Sequence, residues 1–119
     1  MFHDNIDTVY NNMLLLLVDE ISNNLSDKSQ LSYRLRNIII FIMDHYDHFV
    51  NNHKDILKIQ ITKYYSSSLE IIESEYNILS NRQIEYELSV TEEKTMNDYK
   101  KTIGYMKRFT DKYSLSGVF

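Results

Sequence analysis

Proline is absent from this 119-residue chain, and glycine occurs only at Gly104 and Gly117. These two residues supply most hairpin turns, helix stops and phosphate-cradling loops. A chain almost without them is restricted to long, uninterrupted helices. The expected fold is all-α, a four-helix bundle-like single domain spanning residues 1–119, with 113–119 as the start of a linker.

Hydrophobic periodicity places the helices. Ile6, Val9, Tyr10, Met13, Leu14, Leu17 and Ile21 recur at helical spacing, with Asp4 as N-cap and Ser22 to Asn24 as the stop. The polar stretch Leu25 to Gln30 connects to a second stripe of Leu31, Leu35, Ile38, Ile39, Ile42, Tyr46, Phe49 and Val50, which predicts a helix continuing to about Asn52. A third stretch, with Ile56, Ile59, Lys63, Leu69, Ile72, Tyr76 and Leu79, is less regular and is also assigned as helix. The fourth helix has the clearest beginning. Ser89 and Glu92 have capping-box spacing, and Glu92 with Glu93 places negative charge where the helix dipole favours it. Met96, Tyr99, Ile103, Met106, Phe109 and Tyr113 follow at intervals of three and four.

Composition narrows the function. No cysteine is present, so thiolate metal sites, disulfides and cysteine nucleophiles are excluded, and a reducing, cytoplasmic setting is the default. The net charge of -4 does not suit a protein whose task is to neutralise phosphates, so nucleic-acid contact is expected at most indirectly. Lys100, Lys101, Lys107, Arg108 and Lys112 read as dipole complement and solvated surface. The apolar run Met13 to Val18 is far shorter than the roughly 20 residues needed to cross a bilayer.

Residues 43–55, "MDHYDHFVNNHKD", gather three histidines and three aspartates. On a helix Asp44 and His48 lie one turn apart, opposite the apolar stripe, with His53 at or past the helix end. Two ligands grip a divalent ion weakly, whereas a catalytic zinc site has three plus water. The expectation is a solvated face with an Asp44–His48 ion pair, without metal or cofactor. The hydroxyls of "YYSSSLE" at 64–70 lack a glycine elbow or nearby histidine, and Asp19–Glu20 and Glu92–Glu93 are adjacent pairs that diverge around their helices. No enzymatic activity is expected.

Apolar residues beyond the main stripes are the more distinctive feature. Leu14 to Val18 cover most of the circumference of the first helix, and Ile40 and Phe41 lie outside the stripe of the second. Leu15, Leu16, Val18, Ile40 and Phe41, with Tyr99, Tyr105 and Met106 on the fourth helix, are candidate interface residues for other helical protein subunits in a hetero-oligomer.

The segment "LRNIIIFIMDHYDHFVNNHKDI" at 35–56 resembles the second helix of a subunit family of the eukaryotic GINS complex, the partner-of-Sld-five-one type. Leu35, Arg36, Ile38, Ile39, Met43, Tyr46, Asn52 and Asp55 carry that likeness. Downstream, Glu75, Tyr76, Leu79, Leu88, Ser89, Glu92, Glu93, Tyr99, Tyr105 and Met106 are similar to the family's turn and final helix, as are the opening Met1 and Phe2. The likeness spans about two-thirds of the chain. It departs at Ser74, Asn77 and Ser80, where the family has Trp, Gly and Pro, and "ILKIQITKYY" replaces a basic run. The resemblance implies a non-catalytic nuclear scaffold, one of four related helical subunits that join the replicative helicase to its co-activator during DNA replication, without the small β-rich domain of that family. The alternative is a small helical interaction or decoy protein, Bcl-2-like or another adaptor, of an AT-rich virus or parasite.

Overall fold

Leu31, Leu35, Ile38, Ile39 and Ile42 are withdrawn from solvent almost entirely, and the helix that carries them organises the chain. Each such side chain contributes roughly 1.5–3 kcal/mol when fully buried, so this face cannot remain on a surface. The computed structural model describes residues 2–23 and 28–113, with side chains placed for 5–23 and 28–112. The element order is α1 (Phe2–Ser22), α2 (Ser29–Asp44), α3 (Tyr46–Asn52), α4 (Lys54–Gln60), a π-helical turn (Ile61–Tyr65), α5 (Ser66–Glu85) and α6 (Val90–Tyr113). No strand occurs among the described residues. The fold is all-α, as expected. The proposed linker residues 114–119 and residues 25–27 of the first connection lie outside the described residues.

α3 continues α2, and α4, the π-helical turn and α5 run on as one rod, so the six helices form four bundle-like rods. α2 packs against α1, α5 and α6, while α5 packs on α6 and the π-helical turn meets α1. The rod from Lys54 to Glu85 would be about 48 Å long at helical rise, and it accounts for the longest dimension of the molecule, 52 Å against 27 and 21 Å across.

A buried polar network fixes α2 on α6. Ser32 and Thr102 are both inaccessible to solvent. Thr102 donates to the Ser32 carbonyl (3.3 Å), which leaves its Oγ1 to accept from Ser32 Oγ (2.6 Å) and from the Arg36 guanidinium (3.0 Å). Arg36 also pairs with Asp98 at 2.6 Å. Every hydroxyl in the group has a partner, as burial demands.

The expected capping box is present. The Ser89 amide donates to Glu92 at 3.0 Å, and the Glu92 amide donates to Ser89 Oγ at 3.1 Å. Glu92 also pairs with Arg82 of α5 at 2.6 Å, tying the two helices beside their connection.

Three local expectations are corrected. α1 begins at Phe2, so Asp4 lies within its first turn and does not cap it. The second helix ends at Asn52 as expected, with His53 (φ -135°, ψ 21°) just past it, but it does not run there unbroken: His45 (φ -118°, ψ 36°) interrupts it. At His45 the ring Nδ1 lies 3.0 Å from the Phe41 carbonyl and the ring packs on Phe41, a side-chain contact that competes with regular helix. Each histidine is shared by the helices it joins: the His45 amide bonds to the Phe41 and Ile42 carbonyls and its carbonyl accepts from Phe49, while the His53 amide bonds to the Phe49 carbonyl and its carbonyl accepts from Leu57. In the first half of the third stretch the buried residues are Leu57, Ile61 and Tyr65, whereas Ile56, Ile59 and Lys63 are exposed; farther along, Ile72 is buried as expected. The π-helical turn changes which side chains face inward.

Candidate functional site

The bend at His53 produces the one concentration of metal-binding side-chain types among the described residues. His48 and His53 are five residues apart, which on a straight helix would set them about 140° apart around the axis. The non-helical backbone of His53 brings the two rings to 5.1 Å between centroids. α1 then supplies Asp7 from 41 positions upstream. Asp7 Oδ1 accepts from His48 Nε2 at 2.8 Å and from His53 Nε2 at 2.9 Å. The His48 side chain is 8% exposed, braced against Phe49, while those of His53 and Asp7 are 30% and 39% exposed. The hydrogen bond from His48, and next the charge and hydrogen bond of His53, hold the Asp7 carboxyl below its usual range against the opposing effect of burial.

Beside this group lies a cleft of about 180 Å³ between α1 and α4, walled by Tyr10, Asn11, Ile56 and Gln60 as well as Asp7 and His53. It is smaller than the roughly 300–1,000 Å³ of small-molecule pockets. Its floor is a second polar chain: Tyr65 in the π-helical turn bonds to the Tyr10 hydroxyl, which donates to Gln60 Oε1. Burial pushes the Tyr10 phenol up to about 12, opposed by the Tyr65 hydrogen bond, so it stays protonated at neutral pH and acts as a structural donor.

The sequence pairing of His48 with Asp44 is therefore corrected: the carboxylate at its Nε2 is Asp7, and Asp44 is exposed beyond the bend at His45. Asp7 stands outside the 43–55 cluster because it belongs to another helix. The available signal was its position one turn before Tyr10, beside the apolar stripe of α1. His53 lies just past a helix end, as expected, and its non-helical backbone there makes the site.

The interface candidates divide. Leu15 and Leu16 are 68% and 44% exposed, joined by Val9 at 44%. Val18, Ile40, Phe41 and Tyr105 are half-buried; Phe41 and Tyr105 pack on the core and Arg108 covers the Tyr105 ring at 4.5 Å. Tyr99 and Met106 are corrected as surface residues, because they are only 2% and 4% exposed and belong to this chain's own core. From Thr8 to Val18 α1 contains no charged residue, although Thr8, Val9, Asn11, Asn12, Leu15 and Leu16 all face solvent. Ile56 and Ile59 add exposed apolar surface on α4, Ile56 lining the same cleft as Asn11. No helix among the described residues is long and apolar enough to cross a membrane. Compared with protein-family models, characterised proteins and solved structures, the chain matches none.

Proposed function

We propose that this chain is a non-catalytic scaffold subunit of a multi-subunit helical assembly, of the kind its resemblance to GINS subunits implies. The observation that carries the reading is the uncharged outer face of α1. Protein surfaces ordinarily carry about 25–35% charged residues, whereas interface centres are depleted of charge. Over three turns this face offers water only Leu, Val, Asn and Thr side chains. The partners are the three sibling helical subunits of the same organism, and the reading includes a nuclear location and a role in DNA replication.

Co-expression with those siblings tests it. The wild-type chain should co-purify with them in equal stoichiometry, and Leu15→Glu should release it. Leu15 is mostly exposed, so the substitution should change the stability of the isolated chain by no more than about 0.5 kcal/mol. A complex that tolerates Leu15→Glu and Leu16→Glu together would remove α1 as the interface. Failure of the wild-type chain to assemble with its siblings would remove the family reading.

A further inference from the structure

We propose that Asp7, His48 and His53 form a binding site for a divalent transition-metal ion of the zinc class, which staples α1 to the α3–α4 joint. Two imidazoles and one carboxylate make a borderline donor set that favours zinc and its neighbours over magnesium or calcium. The three donor atoms lie within 4.8 Å of one another, with Asp7 Oδ1 at 2.8 and 2.9 Å from the two ring nitrogens. Zinc held at about 2.0–2.1 Å in tetrahedral geometry sets its ligand atoms about 3.3 Å apart. Parting Asp7 from the two rings by roughly half an ångström, and drawing the two ring nitrogens from no more than 4.8 Å toward the same spacing, admits the ion. The exposed side chain of Asp7 can move that far without disturbing the core.

Three further features support the assignment. The ligands come from two elements distant in sequence, so the ion would fix a tertiary contact and not merely decorate one helix. The depression bounded by Asp7, His48, Asn52 and His53 opens to solvent, providing an entry path and room for water in the fourth position. Both rings aim Nε2 inward. On binding, each Nε2 gives up the proton it donates to Asp7 and turns a bare nitrogen to the ion, the neutral ring carrying its one proton on Nδ1 and any additional proton passing to solvent.

The test uses the full chain stripped of metal by chelator. Zinc titrated by calorimetry should bind with one-to-one stoichiometry and raise the thermal midpoint, an effect reversed by added chelator. Cobalt should bind in the same ratio, with the visible absorption of a low-coordinate nitrogen–oxygen site. Asp7→Asn and His53→Gln should each weaken zinc at least about tenfold, while His45→Gln should bind as wild type. Circular dichroism reports whether each variant is folded. If both ligand variants unfold, the wild-type stoichiometry and cobalt spectrum decide the matter. Several weak zinc equivalents, an octahedral cobalt spectrum, or undiminished affinity in the two folded ligand variants would overturn the proposal.

Discussion

Thr102→Val probes the polar group between α2 and α6 with almost no change of shape. The hydroxyl it removes accepts from Ser32 and Arg36 and donates to the Ser32 carbonyl. Arg36 keeps Asp98, so its charge stays paired. Ser32 can turn its hydroxyl toward the carbonyl one helical turn earlier, which limits the loss. A neutral buried hydrogen bond contributes about 0.5–1.5 kcal/mol net and a charge-assisted one about 1.5–3 kcal/mol. Burying a methyl group in place of the hydroxyl returns up to about 0.8 kcal/mol. The balance is a cost of about 2 kcal/mol, or a fall in midpoint of roughly 8 °C for a domain this size. Ser32→Ala alone should cost about 1 kcal/mol, because Thr102 still reaches the Ser32 carbonyl. The double variant should be less damaging than the sum by about 1 kcal/mol, since no orphaned partner remains between the two sites. Urea melts of the four proteins, followed by circular dichroism, measure the cycle. Additive effects, or a Thr102→Val protein as stable as wild type, would show that the hydroxyls are not coupled and that apolar packing alone sets α2 on α6.

Ser89→Ala should cost about 1 kcal/mol by removing the acceptor of the Glu92 amide, and Thr91→Ala, at an exposed position inside α6, should cost less; melts of both variants rank them. Glu92 provides a pH test. The Ser89 backbone amide, and next the Arg82 side chain, hold its carboxyl below the ordinary glutamate value of 4.5. A carboxyl lowered on folding stabilises the native state above its ordinary value, and that stabilisation is lost as pH falls through the folded value. The midpoint of wild type should therefore exceed that of Glu92→Gln at neutral pH, and the gap should narrow as the solution becomes more acid; a constant gap would contradict the arrangement.

Features confined to one helix were legible in the sequence. The near absence of glycine and proline was enough for the all-α class, the capping box stands where Ser89 and Glu92 put it, and the Leu31 to Ile42 stripe is the core. Features that depend on a second element were not. No glycine or proline marks the bends at His45 and His53, because the first depends on a ring bonding back to its own helix. Asp7 joins His48 only through the packing of α1 on the α3–α4 joint, which periodicity along either helix does not encode. Tyr99 and Met106 suited an interface by residue type, but α6 turns them inward. Leu15 and Leu16 are outward because an all-round apolar helix has more greasy surface than its contacts with α2 and the π-helical turn can cover.

The π-helical turn at Ile61–Tyr65 has an angular consequence. Fifteen residues separate Leu57 from Ile72, and at 100° per residue the chain would rotate about 1,500°, overshooting four full turns by about 60°. A π turn winds less per residue, so five residues of it take back most of that overshoot. Leu57, Ile61, Tyr65 and Ile72, all buried, consequently look the same way along the long rod. The wider turn works as a phase corrector, allowing one straight rod to follow a neighbour at both ends. Deleting exposed Thr62 or Lys63 would leave fourteen residues between Leu57 and Ile72, about 1,400° of ordinary α-helix and only about 40° short of four turns, so the shortened rod is expected to close as regular helix with a modest rotation of one half.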